Sequence, residues 1–330
     1  MSRNFVLALM GCLFFCIGPL SAENEGNQVA TTSAASVAPI TQVAALMPVD
    51  TVTIAILAKD KAHTLPLYLR CIEQQTWPAK KTNLYIRTNN NNDKTAEILT
   101  AWVEKVRSRY ATIHFDKTDV IQSVQKYGQH EWNEERFKVL GKIRQESIDW
   151  ARSMRSHYFV VDCDNFIKPH TIEKVAQTNL PIVAPFLTCY QTPDVKNSVY
   201  SNYHAAITSD GYYADCSEYY LLWDQKIKGL IDVPVVHCAY FIRNDVLNKI
   251  SYDDRSGRYE YVIFSDVARK KSIPQYLDNR EIYGYITFAE NESWLRAEPW
   301  FKAFSSVDAS LEFLSDNQSL LSLEEKNSNY

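Results

Sequence analysis

Asp162 and Asp164 stand two residues apart at the end of the apolar run Tyr158-Phe159-Val160-Val161, and Phe166-Ile167 resumes the apolar pattern just after them. An apolar run without polar alternation reads as a strand buried on both faces. Carboxylates where such a strand stops sit at the crevice of an open α/β sheet in which ligands bind. Oxygen-only ligands there suit a hard cation such as Mg2+ or Mn2+. The pair is a candidate site for a metal and a diphosphate. Asp-x-Asp is equally ordinary turn chemistry, so the elements around it must decide.

Thr51 to Ala58 is apolar and β-branched, a good first strand. Thr64 to Ile72 follows as a helix with Pro66 in its first turn and Leu65, Leu69 and Ile72 on one face. Leu84 to Thr88 is a second strand, ending in Asn89-Asn90-Asn91-Asn92-Asp93. Asp93 can cap a helix on which Leu99, Trp102, Val103, Val106 and Tyr110 recur at helical spacing. Glu134 to Met154 reads as a long helix with Phe137, Leu140, Ile143, Ser147 and Ala151 inward, and it feeds the Tyr158 strand directly. Alternating strands and helices of this size predict a parallel sheet with right-handed crossovers. No Gly-x-Gly-x-x-Gly or Walker loop accompanies them, and only 9 glycines occur in the chain, so dinucleotide oxidoreductase and P-loop readings lose support.

Beyond the pair, Thr171 to Asn179 reads as a short helix and Pro181 to Leu187 as an edge-like strand. Residues 188–232 carry Tyr190, Tyr200, Tyr203, Tyr212, Tyr213, Tyr219, Tyr220 and Trp223 among polar residues. These rings either line a sugar or peptide groove or pin down long loops. Val233 to Ile242 reads as one strand with Val235, His237, Ala239 and Phe241 on one face, Tyr259 to Lys271 as a helix, and Glu281 to Thr287 as a last strand.

The 330 residues, 46% hydrophobic and 22% charged, are enough for a sizeable core. A formal charge of −4 gives no general pull toward nucleic acid or anionic membrane. Residues 1–22, with Arg3, an apolar run from Phe5 to Ile17 and then Leu20-Ser21-Ala22, have the layout of a secretory signal peptide. An uncleaved anchor is the alternative; after cleavage no membrane partner is expected. Residues 23–50 read as a disordered linker, 51–304 as one domain, and 305–330 as a polar tail. The leader implies a secretory lumen, a periplasm or the exterior, and no retention tetrapeptide ends the chain. Asn291-Glu292-Ser293 and Asn317-Gln318-Ser319 are glycosylation sequons that matter in a eukaryotic host. Past the leader, Cys71, Cys163, Cys189, Cys216 and Cys238 form no Cys-x-x-Cys pair. Cys189 and Cys216 can bridge a loop, or all can be free thiols.

An α/β nucleotide-binding half, an Asp-x-Asp at a strand end and no phosphate-binding glycine loop fit transfer of a sugar from a nucleoside diphosphate sugar. In that reaction a divalent ion stabilises charge on the leaving diphosphate. The expected fold is α/β of the GT-A type: a Rossmann-like, mostly parallel sheet flanked by helices, with the aromatic-rich insertion on the acceptor side.

From Thr53 to Ile286 the chain resembles the N-terminal glycosyltransferase-like domain of the procollagen galactosyltransferase family, which includes a cerebral endothelial cell-adhesion relative. The blocks that carry the resemblance include Ile54 to Lys59, Thr88 to Asp93, Lys142 to Gln145, Tyr158 to Ile167, Ile182 to Pro185, Tyr200-Ser201-Asn202, Thr208 to Tyr213, Val233 to Cys238 and Glu281 to Tyr285. The resemblance implies a UDP-sugar donor, a Mn2+ or Mg2+ ion, and a hydroxylysine-like hydroxyl on a collagenous or similar peptide as acceptor. It makes Asp162 and Asp164 the metal and diphosphate ligands, with His237 as a candidate third metal ligand or else a hydrogen-bonded core residue. Ala58, Lys59, Thr88 and Asp93 follow the first two strands, where base and ribose are expected; Asp93 is equally a helix cap. The family has an acid where Asn89 stands. Arg144 either faces the diphosphate or is a salt-bridged surface residue. Inverting transfer needs a general base, and where the family shows an Asp-Asp pair this chain has Tyr259-Glu260. Glu260 is the first candidate, with Asp266 or the nearby Asp253-Asp254 as alternatives. Larger family members carry a second glycosyltransferase domain, absent from this sequence. A non-catalytic sugar-nucleotide-binding or adhesion module is the competing expectation.

Overall fold

The computed structural model describes residues 51–121, 133–189 and 199–305. The leader, the linker and the tail beyond 305 expected from the sequence lie outside the described residues, as does Tyr190. No helix among the described residues is long and apolar enough to cross a membrane.

The first half follows the alternation in the sequence. Strand β1 (Val52–Ala58) leads through helix α1 (Leu65–Glu73) to β2 (Thr82–Thr88), then through α2 (Thr95–Val106) to β3 (Thr112–Asp116). Helix α3 (Glu134–Ser153), capped by the Asn133 side chain accepting from the Arg136 N–H at 3.1 Å, returns the chain to β4 (His157–Val161). β2 lies parallel to β1 on one side and β4 parallel to β1 on the other, with β3 parallel to β2 beyond. The chain therefore reverses its direction of winding between β1 and β4, and that is the switch point of the sheet.

After β4 come β5 (Asn165–Ile167), α4 (Thr171–Gln177), β6 (Ile182–Pro185), β7 (Leu187–Cys189), β8 (Tyr203–His204), α5 (Ser217–Trp223), β9 (Leu230–Asp232), β10 (Val235–Val236) and β11 (Ala239–Ile242). The remaining elements are α6 (Asn244–Leu247), α7 (Glu260–Lys270), β12 (Gln275–Asp278), β13 (Gly284–Ile286), α8 (Glu292–Ala297) and α9 (Pro299–Ser305). The central sheet has the order β3-β2-β1-β4-β11-β6-β12-β9; small sheets β5-β13-β7 and β10-β8 sit beside it. β11 runs antiparallel to both its neighbours, β4 and β6. The result is α/β with a mostly parallel, mixed sheet.

Both faces of that sheet are covered, which is why its strands are apolar on both sides. Val52, Ile54 and Ile56 pack with Leu65, Tyr68, Leu99 and Trp102 of α1 and α2. Ala55, Tyr158 and Val160 pack on the opposite face with Ile148 and Ala151 of α3 and Phe264 and Ala268 of α7.

Several expectations need correction. The segment from Pro181 to Leu187 is interior, because β11 and β12 flank β6. The run from Val233 to Ile242 is two strands: Cys238 takes a φ of 60° between them, so the chain turns a corner where continuous period-two alternation was expected. β3 and β12 carry too little apolar periodicity to be read from sequence. On α3 the buried stripe includes Gly141 and Arg144 and omits Leu140. Finally, none of the five described cysteines is in a disulfide, so Cys189 and Cys216 form no bridge.

Candidate functional site

β4 ends at Val161, and the corner Asp162-Cys163-Asp164 carries the chain into β5 of a different sheet. Backbone bonds hold the corner from three sides. The Asp162 N–H donates to the Cys238 carbonyl at 2.9 Å, the Asn165 N–H to the Asp162 carbonyl at 2.9 Å, and the Thr287 N–H to the Asp164 carbonyl at 3.0 Å. Behind it, the Tyr68 hydroxyl donates to the Val161 carbonyl at 2.8 Å. The corner lies at the C-terminal end of the strand beside the switch point, where ligands of open α/β sheets bind.

The two carboxylates meet different cations. Asp164 is 29% exposed, and its Oδ2 accepts from Lys61 Nζ at 2.8 Å. Lys61 comes from the loop after β1, so this contact crosses the switch point. Burial works to lower the Lys61 ammonium, but Asp164 prevails and its pKa is raised. Asp162 is 21% exposed, and its Oδ1 accepts from Arg144 Nη2 at 2.7 Å. Burial raises the Asp162 pKa, Arg144 opposes and Asp164 adds to the rise. Arg144 in turn has its Nε 3.4 Å from Glu260 Oε1, and both side chains are nearly inaccessible, at 3% and 2%. Burial pushes Glu260 up to about 7, against the pull of Arg144.

Asp162 Oδ2 and Asp164 Oδ1 form no hydrogen bond among the described residues. Two partly exposed carboxylates with one uncommitted oxygen each fit Mg2+ or Mn2+, which take one or two carboxylates and complete their shell with water and phosphate oxygens. Among the described residues no group of three or more His, Cys, Asp or Glu side chains is gathered to hold a metal. His237 accordingly does not complete a ligand triad. Its ring is buried against Tyr200, His204 and Tyr261, its Nδ1 lies 2.9 Å from Cys238 Sγ, and burial keeps it neutral.

The loops after β1 and β2 are tied to each other. Asp93 accepts from the Ala62 N–H at 3.0 Å through one oxygen and from the Thr95 N–H at 2.9 Å through the other, so it links the loops and holds the turn into α2, whose cap position is Lys94 and not the expected Asp93. The Asp60 N–H donates to Asn91 Oδ1 at 3.0 Å, and Thr88 Oγ1 accepts from Asn91 Nδ2 at 2.7 Å. Ala58 is buried at the strand end, and Lys59 pairs with Asp60. The asparagine run is thus a bracing element of this edge. A cavity of about 1040 Å³ opens beside it, lined by Arg87, Asp119, Val120, Asn133, Lys138 and Ile143 among others.

The remaining base candidates are engaged elsewhere. Asp266 meets Arg258 at 2.7 Å and Lys270 at 2.8 Å, and Asp254 meets Arg258 at 2.5 Å. Asp253 accepts from the Arg255 N–H at 2.9 Å. The structure therefore brings Asp162, Asp164, Arg144 and Glu260 together, leaves Asp266 and Asp254 in a separate ion network around Arg258, and leaves Asp253 in a local turn. Sequence reasoning passed over Lys61; its signal was a lysine three residues past the first strand, on the ligand edge.

The structure thus defines an α/β protein whose mostly parallel, covered sheet carries two carboxylates at its switch point. The chain belongs to glycosyltransferase family 25: the family model described as "Glycosyltransferase family 25, N-terminal domain" matches residues 49–295. A "Glycosyltransferase 25 family member" of Aedes aegypti is 32% identical over 248 residues, 71% of this chain and 40% of that protein. Human "Procollagen galactosyltransferase 2" is 31% identical over 246 residues, 72% of this chain and 38% of that protein. Mouse "Inactive glycosyltransferase 25 family member 3" is 27% identical over 246 residues, 72% of this chain and 40% of its own length. The chain spans about two fifths of such relatives. Among solved structures, S. aureus TarS 1-349 in complex with UDP-GlcNAc matches with a TM-score of 0.48 and 13% identity, over 79% of this chain and 62% of that one.

Proposed function

We propose that this domain transfers a hexose, galactose or glucose, from a UDP-sugar to a hydroxyl acceptor of the hydroxylysine kind on a collagen-like peptide, with inversion. The observation that carries the reading is the corner at the switch point, where Asp162 and Asp164 each keep one oxygen uncommitted and Lys61 reaches across from the β1 loop. Family membership and the printed activity of the human relative support it. Asp162 and Asp164 would hold Mn2+ or Mg2+, which when bound supplies positive charge for the leaving diphosphate. Lys61 places a further ammonium at the crevice, and the braced edge around Ala58, Lys59, Thr88 and Asp93 receives the nucleoside. The N-terminal leader would deliver the domain to a secretory lumen or the exterior.

Purified protein is expected to consume UDP-galactose or UDP-glucose only when Mn2+ or Mg2+ is present, and Asp164→Ala is expected to abolish that turnover. Undiminished turnover in Asp164→Ala would sink the site. A second reading, a sugar-nucleotide-binding module without transfer, is favoured by one observation: Glu260, the first candidate base, is closed off from solvent. Metal-dependent UDP binding without turnover on any acceptor would establish that alternative.

A further inference from the structure

The part-exposed carboxylate of Asp162, after β4, is joined to an ion chain with Arg144 in the middle of α3 and Glu260 at the start of α7. An arginine facing one carboxylate ordinarily closes a two-pronged fork on it. Arg144 does not. It gives Nη2 to Asp162 and turns Nε toward Glu260, while Nε, Nη1 and Glu260 Oε2, all buried, form no hydrogen bond. Buried polar atoms without partners are costly, and a buried ion chain adds little stability over apolar side chains of similar volume. Stability alone therefore gives a poor account of the arrangement.

The backbone is shaped to bring these groups together. One turn before Arg144, Gly141 lets α7 approach α3 closely: a Cβ at that position would stand 3.3 Å from Glu260 Cβ and 3.5 Å from the Tyr252 carbonyl oxygen. The neighbouring hydroxyls of Tyr240 and Tyr252 bond each other, which leaves the guanidinium to the carboxylates.

We propose that Glu260 and Arg144 are positioning residues for Asp162: Glu260 fixes the guanidinium, and the guanidinium fixes Asp162 Oδ1 so that Oδ2 is presented toward the crevice. This rests on the reading of Asp162 as a cation ligand. It also takes Glu260 out of contention as the base that touches an acceptor.

The test is calorimetric titration of the full chain with Mn2+ in the presence of UDP, together with a melting curve of each variant. Glu260→Gln keeps the shape and removes the charge. It should fold and bind Mn2+ about 10- to 100-fold more weakly, the usual cost of losing a residue that orients a metal ligand. Arg144→Lys, which keeps a charge but not the planar group, should weaken Mn2+ binding in the same direction, and it carries the test if Glu260→Gln does not fold. Asp254→Asn, in the separate ion network, should bind as the unaltered chain does. Unaltered Mn2+ binding in Glu260→Gln with transfer lost would overturn the proposal and restore Glu260 as a base. Unaltered binding in both Glu260→Gln and Arg144→Lys overturns it outright. Absence of Mn2+ binding by the unaltered chain removes the reading of Asp162 itself, and the proposal with it.

Discussion

Asp162 and Asp164 are the same residue type, two positions apart, and they live in different media. Asp164 meets a lysine on a corner open to water, and the two side chains are 29% and 19% exposed. Asp162 meets an arginine that is 3% exposed and backed by a second carboxylate at 2%. A lysine ammonium is a hydrated point charge on a flexible stem, whereas a guanidinium is planar and fixes direction. The difference teaches how one short motif meets two surroundings: a part-exposed contact on the crevice side and a buried, directional one on the core side.

That contrast breaks most visibly at Arg144. Arg144→Ala leaves the buried Glu260 and the part-buried Asp162 without their cation and should cost about 3–5 kcal/mol, read as a lowered urea midpoint. Gly141→Ala comes next. The added methyl presses on Glu260 and should cost about 1–3 kcal/mol, since a packed contact must yield, with α7 loosened in hydrogen exchange.

Changing pH sharpens the comparison from a third direction. Glu260 is raised from its ordinary 4.5 to about 7, first by burial. The folded chain therefore holds this proton more tightly than the unfolded chain. Its contribution to stability is complete below 4.5 and is lost as the pH rises through 7. Denaturation midpoints measured across that window should fall with rising pH, and Glu260→Gln should flatten the slope. The smallest effect belongs to Lys61→Ala. An ion pair this close to solvent should yield less than about 1 kcal/mol, while affinity for UDP falls clearly. A stability loss as large as that of Arg144→Ala would erase the distinction between the two sides.

The parallel half of the sheet was legible because its signals are local. β1, β2 and β4 show unbroken or nearly unbroken apolar runs, α1, α2 and most of α3 show helical spacing, and the aspartate pair stands where β4 ends. Signals that depend on distant partners were not legible. β12 is polar at Gln275 and Asp278, and both are buried because Ser265 bonds the first while Arg280 and Tyr283 bond the second. The corner at Cys238 depends on a backbone conformation that its residue type does not announce. Arg144 meets Glu260 across α3 and α7, helices more than a hundred residues apart in sequence, so a lone arginine on a helix face and a lone acid at a helix start gave no hint of each other. Lys61 and Asp164 were each visible as residues, but their pairing across the chain was not.

The proposed site requires Asp162 and Asp164 to bind a divalent cation together with a diphosphate. Calorimetric titration with UDP, with and without Mn2+, tests it most directly. Binding that requires Mn2+ and disappears in the Asp162→Asn, Asp164→Asn double variant, with the melting temperature retained, is the expected result. Equal UDP affinity with and without Mn2+, or undiminished binding by the double variant, would contradict it.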